Sequence, residues 1–314
     1  MHSRTMMAQA NFTEDEDQKT FKKIDCSAEF YTRGVNGELI FLSSLNIILS
    51  IAAFLGNTLI LVALNKESSL HLPSKLLYRN LAITDLCVGI VVGPLAVIYW
   101  ISVLTERWDI CFYADSAVGF AGYTLCSVSL FTLTAISVDR LLALLLGLRY
   151  RQVVTYKRTC ITAIFFWILS IGGSAFFFIP VIISSFQYLV TATCLITTIL
   201  SYTKIFFFLR HNQINVHKHV TQGQLNQSLN MVRYRKAVNS ALWVQVTLVI
   251  CYLPFGIAVA LTPQKEYGLS VYLARQFTST LIFLNSSLNP LLYCWKIREV
   301  RQAVRETLRQ LLCL

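Results

Sequence analysis

Seven long apolar stretches, separated by short polar connections, dominate the pattern of hydrophobic and polar positions along the chain. A bilayer core about 30 Å thick needs roughly 20 apolar residues per helix, and each stretch is long enough to supply them. The pattern predicts an all-α membrane protein, a bundle of seven transmembrane helices. In chain order the stretches lie near Leu39–Leu64, Leu76–Val103, Phe112–Leu146, Cys160–Ser184, Tyr188–Leu209, Ala237–Leu261 and Val271–Trp295.

Past the seventh stretch, residues 298–312 show a different periodicity. Val300, Val304, Leu308 and Leu311 recur on one helical face, and arginines lie elsewhere. This amphipathic pattern predicts a short cytoplasmic helix, helix 8, in the membrane interface. The chain then divides into an extracellular N-terminal arm at residues 1–37, a seven-helix domain at 38–296, and helix 8 with a short tail at 297–314.

Composition and charge favour a membrane location over nucleic-acid binding. Of 314 residues, 55% are hydrophobic and 14% are charged, although the formal net charge is +11. The basic residues cluster in alternate connections and in the tail, which the positive-inside rule assigns to the cytoplasm. The first 38 residues hold five Lys or Arg and seven Asp or Glu, which suits an exported arm. We expect a multi-pass plasma-membrane protein with an extracellular N-terminus and a cytoplasmic C-terminus.

Four residues outside the apolar stretches are candidates for covalent modification. Asn11 begins an Asn-Phe-Thr sequon on the predicted outer side, where N-glycosylation occurs. Cys26 and Cys111 are the cysteines predicted to face outside; they either form a disulfide bond or remain thiols, because the sequence does not show their separation. Cys313 follows the basic amphipathic stretch, a context typical of palmitoylation.

Asp85 places a carboxyl group in the middle of the second apolar stretch. It lies about 15 Å along that helix, where an unpaired charge costs about 2.5–3.5 kcal/mol on insertion scales. Candidate partners are Ser129 and the pair Asn285 and Asn289, which lie one helical turn apart and share a face. These oxygen-bearing groups suit a sodium ion; alternatively, Asp85 is protonated and only hydrogen-bonded. Apart from sodium, we expect no metal and no cofactor.

The pair Asp139-Arg140 falls where the third stretch reaches the cytoplasmic boundary. Adjacent opposite charges hold Arg140 folded back, so a partner that competes for the guanidinium would turn the pair into a switch. Alternatively, Arg140 is an ordinary arginine that snorkels at a helix end. Pro254 and Pro290 remove backbone donors inside the sixth and seventh stretches, which predicts kinks that can act as pivots.

Six short motifs, each in its own helix and in order, resemble those of the rhodopsin-like, or class A, G-protein-coupled receptors over residues 38–310. Tyr202 also occupies the position of that family's cytoplasmic tyrosine in helix 5. The motifs are Gly56-Asn57 (GN), Leu81 to Leu86 (LAxxDL), Asp139-Arg140-Leu141 (DRY), Trp167 in helix 4, Cys251 to Pro254 (CWxP) and Asn289 to Tyr293 (NPxxY).

The resemblance implies roles for the buried polar residues and for the cytoplasmic motifs. Asp85, Ser129, Asn285 and Asn289 would form an allosteric sodium pocket. The residues implied in switching and coupling are Asp139, Arg140, Tyr202, Pro254 and Tyr293.

In that mechanism Arg140 would contact a heterotrimeric G protein once helix 6 swings outward about Pro254, while Tyr202 and Tyr293 turn inward. The implied partners are an extracellular ligand, the G protein, the lipid bilayer and, as a further candidate, arrestin; nucleic acid is not among them. Such a receptor makes or breaks no bond itself, so we expect no enzymatic activity.

Departures from the family pattern resemble the melanocortin receptors, in the cluster that also holds adenosine, cannabinoid and lysophospholipid receptors. Asp115 stands where the family has a cysteine, and the second extracellular loop, placed between Pro180 and Tyr188, has none. Cys194 stands in the region of the usual helix 5 proline, and Gly147 replaces the usual loop proline.

An aromatic outer half is the candidate ligand pocket, although aromatic residues in membrane helices also serve as packing. An apolar or lipid-like small molecule, or a small peptide, suits such a lining. The candidates are Tyr123, Tyr252, Phe255, Phe277 and Phe283, with Asp115 and Arg275 near the mouth, and Tyr252 is the implied ligand-sensing side chain.

The predicted function is transduction of extracellular ligand binding into G-protein activation through movement of helix 6. Leu141 and Tyr234 replace residues that in related receptors assist or restrain Arg140, so we predict appreciable basal activity. The alternatives are a seven-helix transporter or scramblase, and a membrane hydrolase. A hydrolase would need clustered histidines or acids within the helices, which the sequence does not offer.

Overall fold

The computed structural model describes residue 26 and residues 35–66, 71–175, 180–218, 246–258, 269–296 and 298–312. These residues are almost entirely helical and include no β-strand, which confirms the all-α prediction. Asn11 and Cys313 lie outside them. The helices are α1 (Asn36–Lys66), α2 (Leu72–Leu104), α3 (Trp108–Leu146), α4 (Tyr156–Ser174), α5 (Pro180–Lys218), α6 (Val246–Ala258), α7 (Leu269–Lys296) and α8 (Arg298–Leu312).

Length and composition alone qualify four described stretches to cross a membrane. They are α1, α2, the stretch from Trp108 to Val153, and the stretch from Phe186 to Phe208 within α5. α6 is apolar but shorter in its described part. α7 carries a buried polar run, Asn285, Ser286, Ser287 and Asn289, which fits a helix whose polar face is covered by other helices.

The third helix is the centre of the described bundle. α3 packs against α2, α4 and α5, and α1 packs against α2, α7 and α8. Leu130 and Leu133 of α3 are fully buried, as are Leu81 of α2 and Leu248 of α6. The outward faces remain apolar, as with Ile48 of α1 and Ile168 of α4, both more than 60% exposed. Such faces suit contact with lipid.

A π-helical turn at Val88–Val92 interrupts α2 immediately before Gly93 and Pro94. The Gly93 N–H donates to the Val88 carbonyl. Pro94 supplies no N–H, and its ring would clash with the carbonyl of the preceding turn in a regular helix. The wider turn relieves that clash without ending the helix.

Two close approaches bring α1 against its neighbours, and both depend on glycine. A Cβ on Gly89 would lie 2.9 Å from the Ser50 backbone oxygen, and one on Gly93 would overlap the Ser50 side chain. A Cβ on Gly56 would lie 2.9 Å from Pro290 Cγ of α7. The Gly56-Asn57 motif therefore lets α1 pack directly on the Asn-Pro turn of α7.

The boundary between α4 and α5 corrects the predicted second loop. α4 ends at Ser174 and α5 begins at Pro180, so the fourth helix does not extend to Ser184 and residues 180–188 are not a loop. Proline suits the first turn of a helix because its missing N–H would have no partner there. The apolar run crossing this connection hid the break between the two helices.

Helix α8 follows α7 after one residue and covers the end of α1. Val304 and Thr307 are buried at 6% and 2% exposure. The Lys66 ammonium of α1 donates to Gln310 Oε1. The predicted amphipathic segment 298–312 is thus a helix that lies against the bundle.

Candidate functional site

The carboxylate of Asp85 lies fully buried between α2, α3 and α7. Asn289 Nδ2 donates to Asp85 Oδ2 at 2.8 Å, and Ser129 Oγ donates to Asp85 Oδ1 at 3.4 Å. Ser286 Oγ also reaches this carboxylate, a contact that the sequence prediction missed. Asp85, Ser129 and Asn289 are each 0% exposed. The structure therefore brings these three predicted residues into direct contact.

Asn285 lies one turn before Asn289, is 1% exposed, and makes no hydrogen bond through its side chain to any described residue. The carbonyl oxygen of Asn289 likewise has no donor among the described residues. On the α1 side, Asn57 Nδ2 donates to the Ser286 backbone oxygen at 3.0 Å, while Asn57 Oδ1 has no described donor. Asn289 is thus in contact with the buried carboxylate, and Asn57 and Asn285 add buried amide oxygens that lack a described donor.

Asp139 lies near the end of α3 that is opposite Trp108, where its carboxylate accepts two hydrogen bonds and forms one ion pair. Ser74 Oγ donates to Oδ2 at 2.9 Å, and the Tyr150 hydroxyl donates to Oδ1 at 2.6 Å. Arg140 Nη2 lies 3.3 Å from Oδ2. The Arg140 guanidinium carbon also lies 6.0 Å from the centre of the Tyr78 ring, at the outer range of a cation–π contact. We refer to this end of the bundle as the Arg140 end.

Ser74 and Tyr150 were not predicted as partners of Asp139. Tyr150 begins a single helical turn, Tyr150–Val153, just beyond α3. Nothing in the pattern distinguishes this tyrosine from its neighbours, because its role depends on how the chain reverses after Gly147, which has φ of +50°. A positive φ of this kind is easily adopted only by glycine.

Trp167 fixes α4 to α2 and α3 through one amide. Its Nε1 donates to Asn80 Oδ1 at 3.0 Å, and Asn80 Nδ2 donates to Thr132 Oγ1 at 2.8 Å. Both polar groups of Asn80 are thereby paired inside the bundle. Asn80 was not among the predicted residues, although a lone amide in an apolar helix is a usable signal of such a partner.

The end of the bundle opposite Arg140 carries a disulfide bond between Cys26 and Cys111. Their Cα atoms are 5.8 Å apart, and both residues are buried. Cys111 lies in the first turn of α3, so the bridge ties the N-terminal arm to that helix. We refer to this end as the disulfide end.

A polar seam near the disulfide end joins α7 to α2. The hydroxyls of Tyr99 and Tyr272 lie 3.2 Å apart, and Trp100 Nε1 donates to Gln276 Oε1 at 3.0 Å. None of the four residues was predicted as a partner. The three aromatic residues give no signal that distinguishes a hydrogen bond from simple packing, whereas the amide of Gln276 is a usable signal, as for Asn80. The seam therefore links α2 to α7 near this end of the bundle.

The predicted pocket residues separate into interior and peripheral positions. Tyr252 is 2% exposed and donates to the Cys126 carbonyl of α3 at 3.5 Å, and Phe283 is also buried. Phe255 and Tyr123 are half-buried. Phe277 does not belong to this lining: it is 38% exposed and packs on Phe41 of α1, with ring centres 6.4 Å apart. The period of α7 turns Phe277 toward α1 rather than toward the bundle interior.

The remaining predicted site residues occupy α3, α5, α6 and α7. Asp115 of α3 and Arg275 of α7 are half-buried and belong to the disulfide half. Tyr202 is buried in α5, and Pro254 lies inside α6, which continues to Ala258. Tyr293 lies in α7, but its side chain is not among those described.

A helical bundle with a buried acidic centre and an arginine held at one end is the architecture of a seven-transmembrane receptor. The family model for the seven-transmembrane receptors of the rhodopsin family matches residues 56–293. The chain belongs to this family, whose members are receptors rather than enzymes. The expected class A fold and multi-pass membrane location follow from that membership.

Melanocortin and adenosine receptors are among the similar curated proteins. Melanocortin receptor 4 of Danio rerio is 24% identical over 286 residues, which cover 87% of this chain and 85% of that receptor. Melanocortin receptor 5 of Rattus norvegicus is 25% identical, with 82% and 81% covered. Adenosine receptor A3 of Ovis aries is 24% identical, with 82% and 86% covered. These relatives place the chain near the melanocortin and adenosine receptors, as predicted.

Proposed function

We propose that this receptor converts binding of an extracellular ligand into nucleotide exchange on a heterotrimeric G protein, through outward movement of α6. The observation that carries the proposal is the Asp139–Arg140 ion pair. Arg140 is 23% exposed and held at 3.3 Å by a carboxylate that is 4% exposed. A partly exposed guanidinium paired with a buried carboxylate can exchange that carboxylate for an acceptor on a docking protein.

This proposal includes an orientation, with the Arg140 end and α8 in the cytoplasm and the disulfide end outside. The basic residues support it, because Arg149, Arg151, Lys157 and Arg158 lie at the Arg140 end, where the positive-inside rule requires them. Leu148 is 99% exposed at the same end. In this proposal Leu148 belongs to the surface that the partner protein covers. Arrestin would use the same surface.

The proposed ligand enters from the disulfide end and is an apolar or lipid-like small molecule or a small peptide. Phe255 and Phe283 supply apolar surface, Tyr123 adds a polar tip, and Asp115 and Arg275 supply charge. Tyr252 lies between this region and the Asp85 centre, because it hydrogen-bonds to the backbone of Cys126, three residues before Ser129. Movement of its ring would couple the ligand region to the buried polar centre.

Basal activity tests the coupling proposal without a ligand. Purified receptor should accelerate GTPγS uptake by a member of a panel of heterotrimeric G proteins, and Asp139→Asn should raise that rate about fivefold, since a partly exposed ion pair contributes about 1 kcal/mol. Asparagine keeps the size of the side chain and still accepts from Ser74 or Tyr150. The effect therefore isolates the pairing with Arg140.

The matched control is Asp109→Asn, the same change on an exposed residue at the other end of α3, which should leave the rate unchanged. No acceleration by the wild-type receptor with any G protein of the panel, in samples that bind lipid and melt cooperatively, would count against the coupling. An unchanged rate in Asp139→Asn would count against the ion pair as the restraint.

We further propose that Asp85, Ser129, Asn285 and Asn289 bind a sodium ion. The residues fit the ion, because Asn289 and Ser129 contact the buried Asp85 carboxylate. The amide oxygens of Asn289 and of Asn285, one helical turn away, are buried and lack donors among the described residues. Buried charges in proteins are paired or coordinate metals. The ion would offset the charge of Asp85 and tie α2, α3 and α7 together.

Sodium should therefore stabilise the purified receptor. Replacing choline chloride by sodium chloride at equal ionic strength is expected to raise the melting temperature by several degrees, which corresponds to about 1–2 kcal/mol of linked binding. Asp85→Asn and Asn285→Ala should each abolish this increment, and Asp109→Asn should retain it. An equal melting temperature in both salts, or a full sodium effect in Asp85→Asn, would rule out this site.

A further inference from the structure

A groove of about 490 Å³ opens on the outer surface of the bundle between α3, α4 and α5. It exists because α3 packs extensively against both α4 and α5, whereas α4 and α5 contact each other little in their described parts. The two outer helices therefore diverge over α3. Phe131 and Phe166, stacked with ring centres 5.2 Å apart, form part of its wall. This groove lies apart from both the ligand region and the Asp85 centre.

The lining of the α3–α4–α5 groove is apolar in effect although it contains several threonines. Thr162 donates to the Arg158 carbonyl at 3.0 Å, Thr193 to the Leu189 carbonyl at 2.7 Å, and Thr197 to the Thr193 carbonyl at 2.7 Å. Each hydroxyl proton is thus taken up by its own helix. The surface that these threonines present to the groove is therefore mainly methyl groups, which suits contact with hydrocarbon.

One rim of the groove is basic. Arg158 lines it, is exposed, and donates one N–H to the Val153 carbonyl at 2.8 Å. Among the described residues no carboxylate forms a salt bridge with Arg158. Arginine has five N–H donors, so most of its donors remain for a further acceptor. Arg149, Arg151 and Lys157 lie nearby in sequence, and residues 149–158 contain no Asp or Glu.

The acidic group on the wall does not cancel this charge. Asp139 lines the groove but is 4% exposed, and its oxygens already accept from Arg140, Ser74 and Tyr150. The α3–α4–α5 groove is apolar, opens toward the acyl chains of the bilayer and ends at Arg158 on the membrane boundary. These properties match one class of ligand. That class has an anionic phosphate joined to long hydrocarbon chains.

We propose that the α3–α4–α5 groove binds an anionic phospholipid from the adjacent leaflet, with an acyl chain in the groove and the phosphate on Arg158. The bound chain would contact Val153 and Val154, in and next to the turn that holds Tyr150 against Asp139. Lipid binding and the restraint on Arg140 therefore share one structural element. The inference concerns lipid binding and stands independently of G-protein coupling.

Native mass spectrometry of the purified full chain, titrated with phosphatidylserine or phosphatidylcholine, tests the site. Phosphatidylserine should bind more tightly, and Arg158→Gln should weaken its binding about fivefold, as expected for loss of one basic contact at a membrane surface. Lys157→Gln, a neighbouring exposed cation outside the groove, should bind as the wild type does.

Filling the groove tests the acyl chain separately. Thr162→Phe on α4 and Thr197→Phe on α5 should each weaken phosphatidylserine binding at least as much as Arg158→Gln. Thr58→Phe is the matched control, because Thr58 is an exposed threonine of α1 that donates to the Phe54 carbonyl at 2.7 Å. Melting curves without added lipid identify any variant that misfolds. If one of the two filling variants misfolds, lipid binding by the other one tests the acyl-chain site.

Four outcomes would overturn the proposal. Equal losses in Lys157→Gln and Arg158→Gln would indicate diffuse surface charge. Equal binding of the two lipids would remove the headgroup preference. Displacement of phosphatidylserine by glycerophosphoserine at equal concentration would show that the chains contribute nothing, and displacement by cholesterol would assign the groove to a sterol. None of these readouts depends on signalling, so failure here leaves the proposed function untouched.

Discussion

Replacing Arg140 by glutamine is expected to lower receptor-stimulated nucleotide exchange on a G protein by roughly ten- to a hundredfold. Arg140 is the only residue of its ion pair that is partly exposed, at 23% against 4% for Asp139. A hydrogen bond to a charged group contributes about 1.5–3 kcal/mol when the partner would otherwise stay unsatisfied, and each 1.36 kcal/mol changes a rate about tenfold. Losing this donor should therefore affect the complex rather than the fold.

The fold should survive because Asp139 keeps two neutral donors, Ser74 at 2.9 Å and Tyr150 at 2.6 Å. Sodium-dependent melting in Arg140→Gln should thus resemble that of the wild type. Arg140→Lys should recover only part of the exchange, since an ammonium lacks the planar fork of a guanidinium. Arg107→Gln, an exposed arginine preceding α3 at the disulfide end, is the control. Full exchange in Arg140→Gln would contradict the assigned role.

The buried polar centre could be anticipated from the sequence because membrane helices penalise unpaired polar groups. Asp85 had to find partners, and Ser129 and Asn289 are among the few polar side chains at matching depth; the structure joins them directly. Asn80 likewise finds partners inside the bundle, because its amide pairs with Trp167 and Thr132. Polar residues in apolar helices are thus the most informative positions in such a chain.

Features that depend on helix-to-helix distances could not be read from the pattern. The π turn at Val88–Val92 reflects a balance between Pro94 and the approach of Ser50 to Gly89. The start of α5 at Pro180 was hidden because apolar residues lie on both sides of the break. The α3–α4–α5 groove depends on two helices diverging over a third. Pro94 and Pro180 mark two of these positions in the sequence, but whether a proline widens a turn or starts a helix depends on the neighbouring helices, and the groove has no local sequence signal.

The outward position of Phe277 shows a further limit. A residue's helical face is fixed only once the rotation of the helix is known, and α7 is rotated so that Phe277 meets Phe41. The seam formed by Tyr99, Tyr272, Trp100 and Gln276 defines that rotation near the disulfide end. Hydrogen bonds between helices therefore decide which aromatic residues can line the proposed ligand pocket.

Removing the bridge between Cys26 and Cys111 is expected to destabilise the receptor strongly. The two cysteines are 85 residues apart in sequence, and closing a loop of that length lowers the entropy of the unfolded chain by an amount equivalent to about 4–5 kcal/mol. The double variant Cys26→Ser, Cys111→Ser should melt about 5–15 °C below the wild type. Its measurement is a thermal melt of purified receptor in the same detergent and salt.

Reductant separates the bond from the serine substitutions. Wild-type receptor treated with a membrane-permeant reductant should have the melting temperature of the double variant. The melting temperature of the double variant should not change with reductant. Cys160→Ser, at a half-buried free cysteine of α4, should behave as the wild type in both conditions. Equal melting temperatures of wild type and double variant under oxidising conditions would mean that the arm adds no stability.

Because Cys111 lies in the first turn of α3, loss of the bridge should also weaken ligand binding at the disulfide end, while the basal exchange set by Arg140 persists in the folded fraction.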